Sequence, residues 1–426
     1  MSWVPFRARR LLRQMWFLPA VFCSAAIGMI ALAHYSALLL PDELPFDVSS
    51  SAIEDILSIV AASMLSVAVF ALATMVSALS AASQTATPRA VRLIAEDRTA
   101  QTSISIFVGA FLFSIVGIIG ISGGLYTASG RLILFAAAIV VVAVVVGALI
   151  RWINLISSIG RVGETIGRAE TAANAAFDEL ARRPGLGCRE AATPPPGAVP
   201  VHAHAVGYVQ HLEPARLQEV AADFGLLVHV AARPGTFVTP IRPLAFVVGP
   251  MSEEAATCIR STFVVGDERT FDHDPRFGLI VLSEIASRAL SPAVNDPGTA
   301  IAIIHTVLRI VDRWVGACER EEPPAFENLS VAPLSMRDLI DDAFRPIVRD
   351  GSDKVEVCLR LVNALAAIRA LSPDLLGPAA TRMLGDLLER ARATMSHPAD
   401  LEAVEDAVSA VADAPANARG GLMHAS

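Results

Sequence analysis

The chain has 426 residues, of which 54% are hydrophobic and 18% charged, with a formal net charge of −8 and a mean hydropathy of +0.53. Soluble domains carry about 25% charged residues, so an ordinary soluble protein is excluded, and the acidic balance argues against nucleic acid as a partner, which needs a basic face. The charge is uneven: residues 1–153 hold 9 Arg/Lys and 7 Asp/Glu, residues 154–426 hold 25 and 35, so an apolar first third of net +2 joins an acidic remainder of net −10.

Four apolar stretches, 15–40, 56–80, 103–123 and 132–150, reach the roughly 20 residues that cross a hydrocarbon core of about 30 Å. The last reads LILFAAAIVVVAVVVGALI and lacks the polar face of a packed soluble helix. The first reads as a retained helix with Pro19 in its first turn, because the following Pro41-Asp-Glu-Leu-Pro offers no small-residue cleavage site. Arginine asymmetry orients the spans. Arg7, Arg9, Arg10 and Arg13 precede the first, Arg89, Arg92 and Arg98 lie between the second and third, and Arg151, Arg161 and Arg168 follow the fourth. The opposite side has Arg131 alone. The expectation is a multi-pass membrane protein, in contact with the lipid bilayer, with both termini cytoplasmic.

The second stretch carries hydroxyls at helical spacing. At about 100° per residue, Ser63, Ser66, Thr74, Ser77 and Gln84 fall in one stripe about 80° wide. One reading is a pore lining, with Glu54 and Asp55 as an acidic outer mouth that favours inorganic cations. The other is a seam of small residues along which helices approach. No Asp, Glu, Lys or Arg lies mid-span, which counts against a proton-coupled pump.

The pattern past Arg151 continues the fourth helix to about residue 183, where Pro184-Gly-Leu-Gly ends it. A Pro-rich linker follows, containing Pro194-Pro-Pro. Strands at 205–212 and 226–232 flank a helix at 214–224, and shorter strands are expected at 236–238 and 244–248. Helices are expected at about 252–262, 274–290, 297–319, 336–350, 352–371 and 376–411, before an Ala/Gly-rich tail without regular structure. The resulting fold class is a membrane protein with a four-helix transmembrane N-terminal region and an α+β cytoplasmic domain, a small β module followed by helices. Its expected divisions are spans 1–153, connecting helix 154–185, linker 186–200, mixed module 201–250, helical domain 251–411 and tail 412–426.

No phosphate loop, nucleophile elbow, Rossmann glycine pattern or H-E-x-x-H helix is present, so neither a catalytic site nor a cofactor is expected. The five cysteines are widely spaced with no C-x-x-C, which is neither a disulfide framework nor a zinc ribbon. His202 and His204 share a strand face, but two ligands fall short of a metal site, and His211 or His273 could join them only through the fold. Asp272-His273-Asp274 has no identifiable Ser or Cys partner. The densest polar cluster runs from Gly266 to Thr299 and holds Arg269, Asp274, Glu284, Arg288, Asn295 and Asp296. It reads either as a pocket for a small ligand or ion, or as helix caps and ion pairs. Glu284 and Arg288 stand at i,i+4, and Asp274-Pro275 and Asp296-Pro297 read as helix starts.

The run Ser291-Pro-Ala-Val-Asn-Asp-Pro-Gly-Thr-Ala300, following Glu284-Ile-Ala-Ser-Arg-Ala-Leu290, resembles a bacterial family described as predicted membrane proteins, domain of unknown function twenty-two fifty-four. Leu44-Pro-Phe-Asp47, Ser83-Gln-Thr-Ala-Thr-Pro-Arg89, Gly207-Tyr-Val209 and Gly266-Asp-Glu-Arg-Thr270 extend the resemblance over about residues 10–370. Gly235-Thr-Phe-Val-Thr-Pro-Ile-Arg-Pro-Leu244 departs from the family pattern, with Ile241 where a second glycine is usual. The resemblance implies four spans and a cytoplasmic domain, and no activity. The reading that follows is a homo-oligomeric channel or pore-like protein with a cytoplasmic assembly or gating domain. The alternative is a membrane-anchored ligand-sensing or scaffold protein without transport activity.

Overall fold

The computed structural model describes residues 17–35, 49–85, 87–95, 98–158, 161–318 and 324–413. Arg7, Arg9, Arg10, Arg13, the motif at 44–47 and the tail from 414 lie outside them, as does the side chain of Gln84. The chain divides into two units, one holding 3–84 and 91–164, the other 85–90 and 165–426.

The first unit is helical: α1 (Phe17–Tyr35), α2 (Ser50–Thr85), α4 (Arg98–Ser122) and α5 (Ala128–Ser158), with α3 (Pro88–Ala95) between the second and third long helices. Three helices among the described residues are long and apolar enough to cross a membrane: Ser50–Ser80, Arg98–Ser122 and Ala128–Ser157. The first expected span appears as the 19-residue α1, and its remaining residues lie outside the described ones. Helix α4 is the most enclosed, with Ser105, Phe107, Phe113 and Ser114 buried. It meets α2 at Gly117, where an added Cβ would lie 2.9 Å from Leu57 Cδ1. This is the small-residue packing that apolar solvent demands. Helix α2 turns Ile53, Leu57, Ala61, Met64, Ala71 and Met75 inward, a face about 140° from the hydroxyl stripe at about 100° per residue.

The helix expected to run to 183 is described as α5, which ends at Ser158, and α6, which covers Val162–Arg182; residues 159–160 lie outside the described ones. Helix α6 leads into the second unit. The strands are β1 (Cys188–Glu190), β2 (Val199–His202), β3 (Gly207–Leu212), β4 (Leu227–Val230), β5 (Phe237–Val238), β6 (Pro243–Val248), β7 (Phe263–Gly266) and β8 (Phe326–Val331). Helices α7 (Pro214–Asp223) and α8 (Glu253–Ser261) are interleaved with them. The helices α9 (Pro275–Ala289), α10 (Pro297–Ala317), α11 (Met336–Gly351), α12 (Val355–Leu371), α13 (Gly377–Thr394) and α14 (Pro398–Asp413) complete the unit. The helix expected at 376–411 is thus two, parted before Pro398, whose ring cannot continue a helix.

A five-stranded sheet has the order β1-β8-β4-β6-β2 and a three-stranded sheet the order β5-β3-β7. Both draw strands from either side of residue 250. Strand β8 pairs in parallel with β1 and β4, and β7 pairs antiparallel with β3. Strand β1 rises from the expected linker. Val201, Val209, Val228, Val230, Leu244, Val247 and Val331 fill the core between sheets and helices.

Candidate functional site

A cavity of about 410 Å³ opens in the second unit where both sheets meet the starts of three helices. Its wall includes Pro214 at the head of α7, Pro275 at the head of α9, and Ser335, the N-cap of α11. Leu180, Leu186, Leu212, Phe237 and Leu334 supply apolar wall, and the size suits a small molecule.

The glycine-bearing motifs assemble one side. Tyr208 pairs with Gly266 and Gly207 with Val238. Gly235 N donates to Val209 O at 2.8 Å, and Val209 N donates to Thr236 O at 2.9 Å. Gly235 has φ +88°, and an added Cβ would lie 2.2 Å from Asp274 Oδ2, so only glycine fits. Ile241, by contrast, is 88% exposed and outside the left-handed region, so no glycine is required there. On another side, Gly185, Leu186 and Gly187 are consecutive left-handed residues with φ of 60°, 62° and 77°. A leucine in that region is strained.

Five arginines line the cavity: Arg183, Arg233, Arg242, Arg269 and Arg276. Two are matched by carboxylates. Arg269 donates through Nε and Nη2 to Asp274 Oδ2, both at 2.7 Å, with the Asp274 side chain 3% exposed. Arg276 donates to Asp342 at 2.5 Å and Asp338 at 3.1 Å. The third lining acid, Glu179, meets Arg182 at 2.7 Å. Among the described residues the remaining three have no carboxylate within hydrogen-bond range. Arg233 Nε donates to Ala332 O at 2.7 Å, and its nearest carboxylate oxygen, on Glu190, is 3.8 Å away. Arg242 donates to Phe237 O at 3.1 Å. Arg183 and Arg242 are exposed.

Burial pushes the Asp274 carboxyl up, against the pull of Arg269. The rings of His211 and His273 sit 4.6 Å apart. Burial, reinforced by His273, pulls His211 down to about 4, with Asp272 opposing. His211 is therefore neutral at physiological pH and adds no charge. Among the described residues no group of three or more His, Cys, Asp or Glu is placed to hold a metal ion.

The six residues expected to form one polar cluster are separated. Arg269 and Asp274 stand at the cavity, before α9, whereas Asn295 and Asp296 follow it. The 15 residues of α9 hold the two groups about 22 Å apart at 1.5 Å per residue. Asp296 caps α10, accepting from Thr299 N at 3.0 Å, and Asn295 takes φ +49° in the turn between α9 and α10. Glu284 pairs with Arg89 from the 85–90 segment of this unit. Arg288 lies in the last turn of α9. Asp274 precedes α9 as expected but makes no side-chain capping bond, because Arg269 claims it.

In the first unit Ser63, Ser66 and Ser77 are exposed and Thr74 half-buried. Ser66 donates to Ala62 O at 3.1 Å and Thr74 to Phe70 O at 3.0 Å, each on its own helix. Among the described residues the stripe faces away from the core of its own chain. Glu54 accepts from Ser122 at 3.1 Å, and Asp55 is exposed.

Arg183, Arg233 and Arg242 escaped the reading from sequence because all three sit in Gly/Pro-rich turns. The signal available was local: Arg233-Pro-Gly and Ile241-Arg-Pro place arginine inside turns.

The chain is 26% identical over 311 residues to the uncharacterized protein Mb1321c of Mycobacterium bovis and, to the same extent, to the uncharacterized protein Rv1290c of Mycobacterium tuberculosis. The match covers 68% of this chain and 58% of each relative, so the chain spans less than two thirds of their length. No solved structure matches it. The family pattern of DUF2254, described as a predicted membrane protein, matches residues 13–367, and the chain belongs to that family.

Proposed function

We propose that the protein is a four-span inner-membrane protein with both termini cytoplasmic, whose α+β unit is a receptor for a small ligand. The observation that carries this is the cavity of about 410 Å³, walled by residues from sheets and helices far apart in sequence and bearing more arginine than carboxylate. Binding that orders such a wall shifts the population of the unit's conformations, which is how a sensor reports. The test purifies full-length protein in mild detergent, extracts it under denaturing conditions and examines the extract by mass spectrometry. A small molecule retained by wild type and absent from Ala231→Trp, which fills the cavity wall, is the expected result. Identical extracts overturn the reading. A carboxyl-terminal reporter active outside the cytoplasm overturns the orientation.

A second reading is favoured by the outward position of the α2 hydroxyl stripe. In a homo-oligomer around a central axis, Ser63, Ser66, Thr74 and Ser77 of each copy would line a path for inorganic ions, and the second unit would assemble or gate it. Planar-bilayer recording tests this: a conductance abolished by Ser66→Trp or Thr74→Trp supports it, and no conductance from wild type removes it.

A further inference from the structure

We propose that the cavity of the second unit binds a phosphoryl-bearing polyanion, held by Arg183, Arg233 and Arg242. The inference rests on the receptor reading and adds the chemical class of the ligand.

The argument begins with charge. Of the three lining carboxylates, Asp274, Asp338 and Glu179, each is taken by an arginine within 3.1 Å. Among the described residues Arg183 and Arg242 pair with no carboxylate and Arg233 has only Glu190, at 3.8 Å, on the same wall of a chain whose net charge is −8. Guanidinium groups gathered on one wall offer charge-assisted hydrogen bonds to an anion. A carboxylate of the protein does not fill this place, since Glu190 stops 3.8 Å from Arg233 and is half exposed. Arg233 Nη2 is closed off with no hydrogen-bond acceptor.

Geometry then selects the kind of anion. Arginine presents a planar fork of donors that engages two oxygens at once. A single carboxylate cannot satisfy three forks arriving from separate segments, whereas linked tetrahedral phosphoryl groups present oxygens in several directions. The heads of α7, α9 and α11 stand at the same wall, and unpaired N–H groups in a first helical turn favour negative charge. At α9 and α11 that effect is shared with Asp274 and Asp338. The first turn of α7 holds no acid, and its N-cap is the buried Glu213. The apolar side chains Leu186, Leu212 and Phe237 leave room for an uncharged portion beside the charged one.

Phosphoryl chemistry reaches such a site from a soluble molecule or from a lipid headgroup, and the experiment separates the two. Detergent-solubilised full-length protein is titrated calorimetrically at low salt, without divalent cations, with pyrophosphate, ATP and short-chain phosphatidic acid. Binding of pyrophosphate or ATP assigns a soluble source, and binding of phosphatidic acid alone assigns a lipid source; either supports the proposal. Arg183→Gln and Arg242→Gln are expected to raise Kd by about tenfold each, the loss of one charge-assisted hydrogen bond. Both positions are exposed and pair with no carboxylate among the described residues, so the variants should melt as wild type does without ligand. Arg309→Gln, distant on α10, should leave Kd unchanged. No binding of any of the three probes overturns the proposal, as does binding that the two cavity variants do not weaken. A neutral molecule found in the cavity by mass spectrometry would keep the receptor reading and reject the polyanion.

Discussion

The two units differ in how most of their polar side chains are satisfied. In the apolar unit, Ser66, Thr74 and Ser114 each bond a carbonyl one turn back on the same helix. In the other unit, polar side chains reach between elements: Arg276 on α9 to Asp338 and Asp342 on α11, Arg309 and Arg313 on α10 to Glu170 and Asp178 on α6. The difference follows from solvent. A helix in lipid has no water to fall back on and closes its hydrogen bonds within itself, leaving association to shape. In water a surface ion pair costs little to form and sets the angle between helices, though it stabilises little.

The comparison is broken most severely at Asp274, where a charge pair is buried rather than exposed. Asp274→Ala leaves Arg269, whose side chain is 18% exposed, without its counter-charge, and breaking a buried pair costs about 3–5 kcal/mol. Gly235→Ala should come close to it, adding backbone strain at φ +88° to a clash with Asp274. Denaturation of the second unit, followed by circular dichroism in detergent, measures both. An Asp274→Ala variant as stable as wild type would mean that the pair does not hold the α9 start in place.

That pair also shows how far the sequence could be read. The helix starts were accessible, because Asp296-Pro297 and the apolar spacing are local signals, and α7 through α12 begin and end close to where periodicity places them. Strands β1, β7 and β8 were not. They find their partners across the chain rather than in a neighbouring turn: β1 pairs with β8, β7 with β3, and β8 finds its parallel partner β4 about 100 residues earlier. The cavity was hidden for the same reason: Arg183, Arg233, Arg242, Arg269 and Arg276 lie in separate turns and helix ends, and only the pairing of β3 with β5 and β7 brings several of them together. Arg269 and Asp274 could be picked out by their density in the sequence; their separation from Asn295 and Asp296 by the length of α9 could not.

A second break exploits acid. His211 ionises below about 6.5 in the unfolded chain but only near 4 in the fold, chiefly because it is buried. Its contribution to stability is present above pH 6.5 and is lost as pH falls towards 4. Asp274 works the other way. Burial raises its pKa, so its contribution is largest at low pH and declines as pH rises through the folded value. Lowering pH from 7.5 to 5 should therefore lower Tm of the second unit through His211, and His211→Gln should flatten that dependence. His211 is only partly enclosed, which reduces the effect to about 1 kcal/mol, or about 2–4 °C for a unit of this size. An unchanged slope in the variant would assign the acid sensitivity to another group.

The apolar unit is expected to respond to volume rather than charge. Gly117→Val should cost about 1–3 kcal/mol by forcing Leu57 aside where α2 meets α4. The same helix should tolerate the loss of its hydroxyls. Ser66→Ala and Thr74→Val remove bonds that run only to the carbonyls of Ala62 and Phe70, and those carbonyls keep their helical partners. Each change should therefore shift Tm of the detergent-solubilised protein by the equivalent of about 0.5 kcal/mol or less. A larger loss would show that the hydroxyls meet a partner outside their own helix, on another copy of the chain, and would move α2 from lipid-facing to an interface. A loss of stability seen only at concentrations where the chain assembles, and absent from the monomer, would make that assignment directly, because only bonds between copies obey mass action.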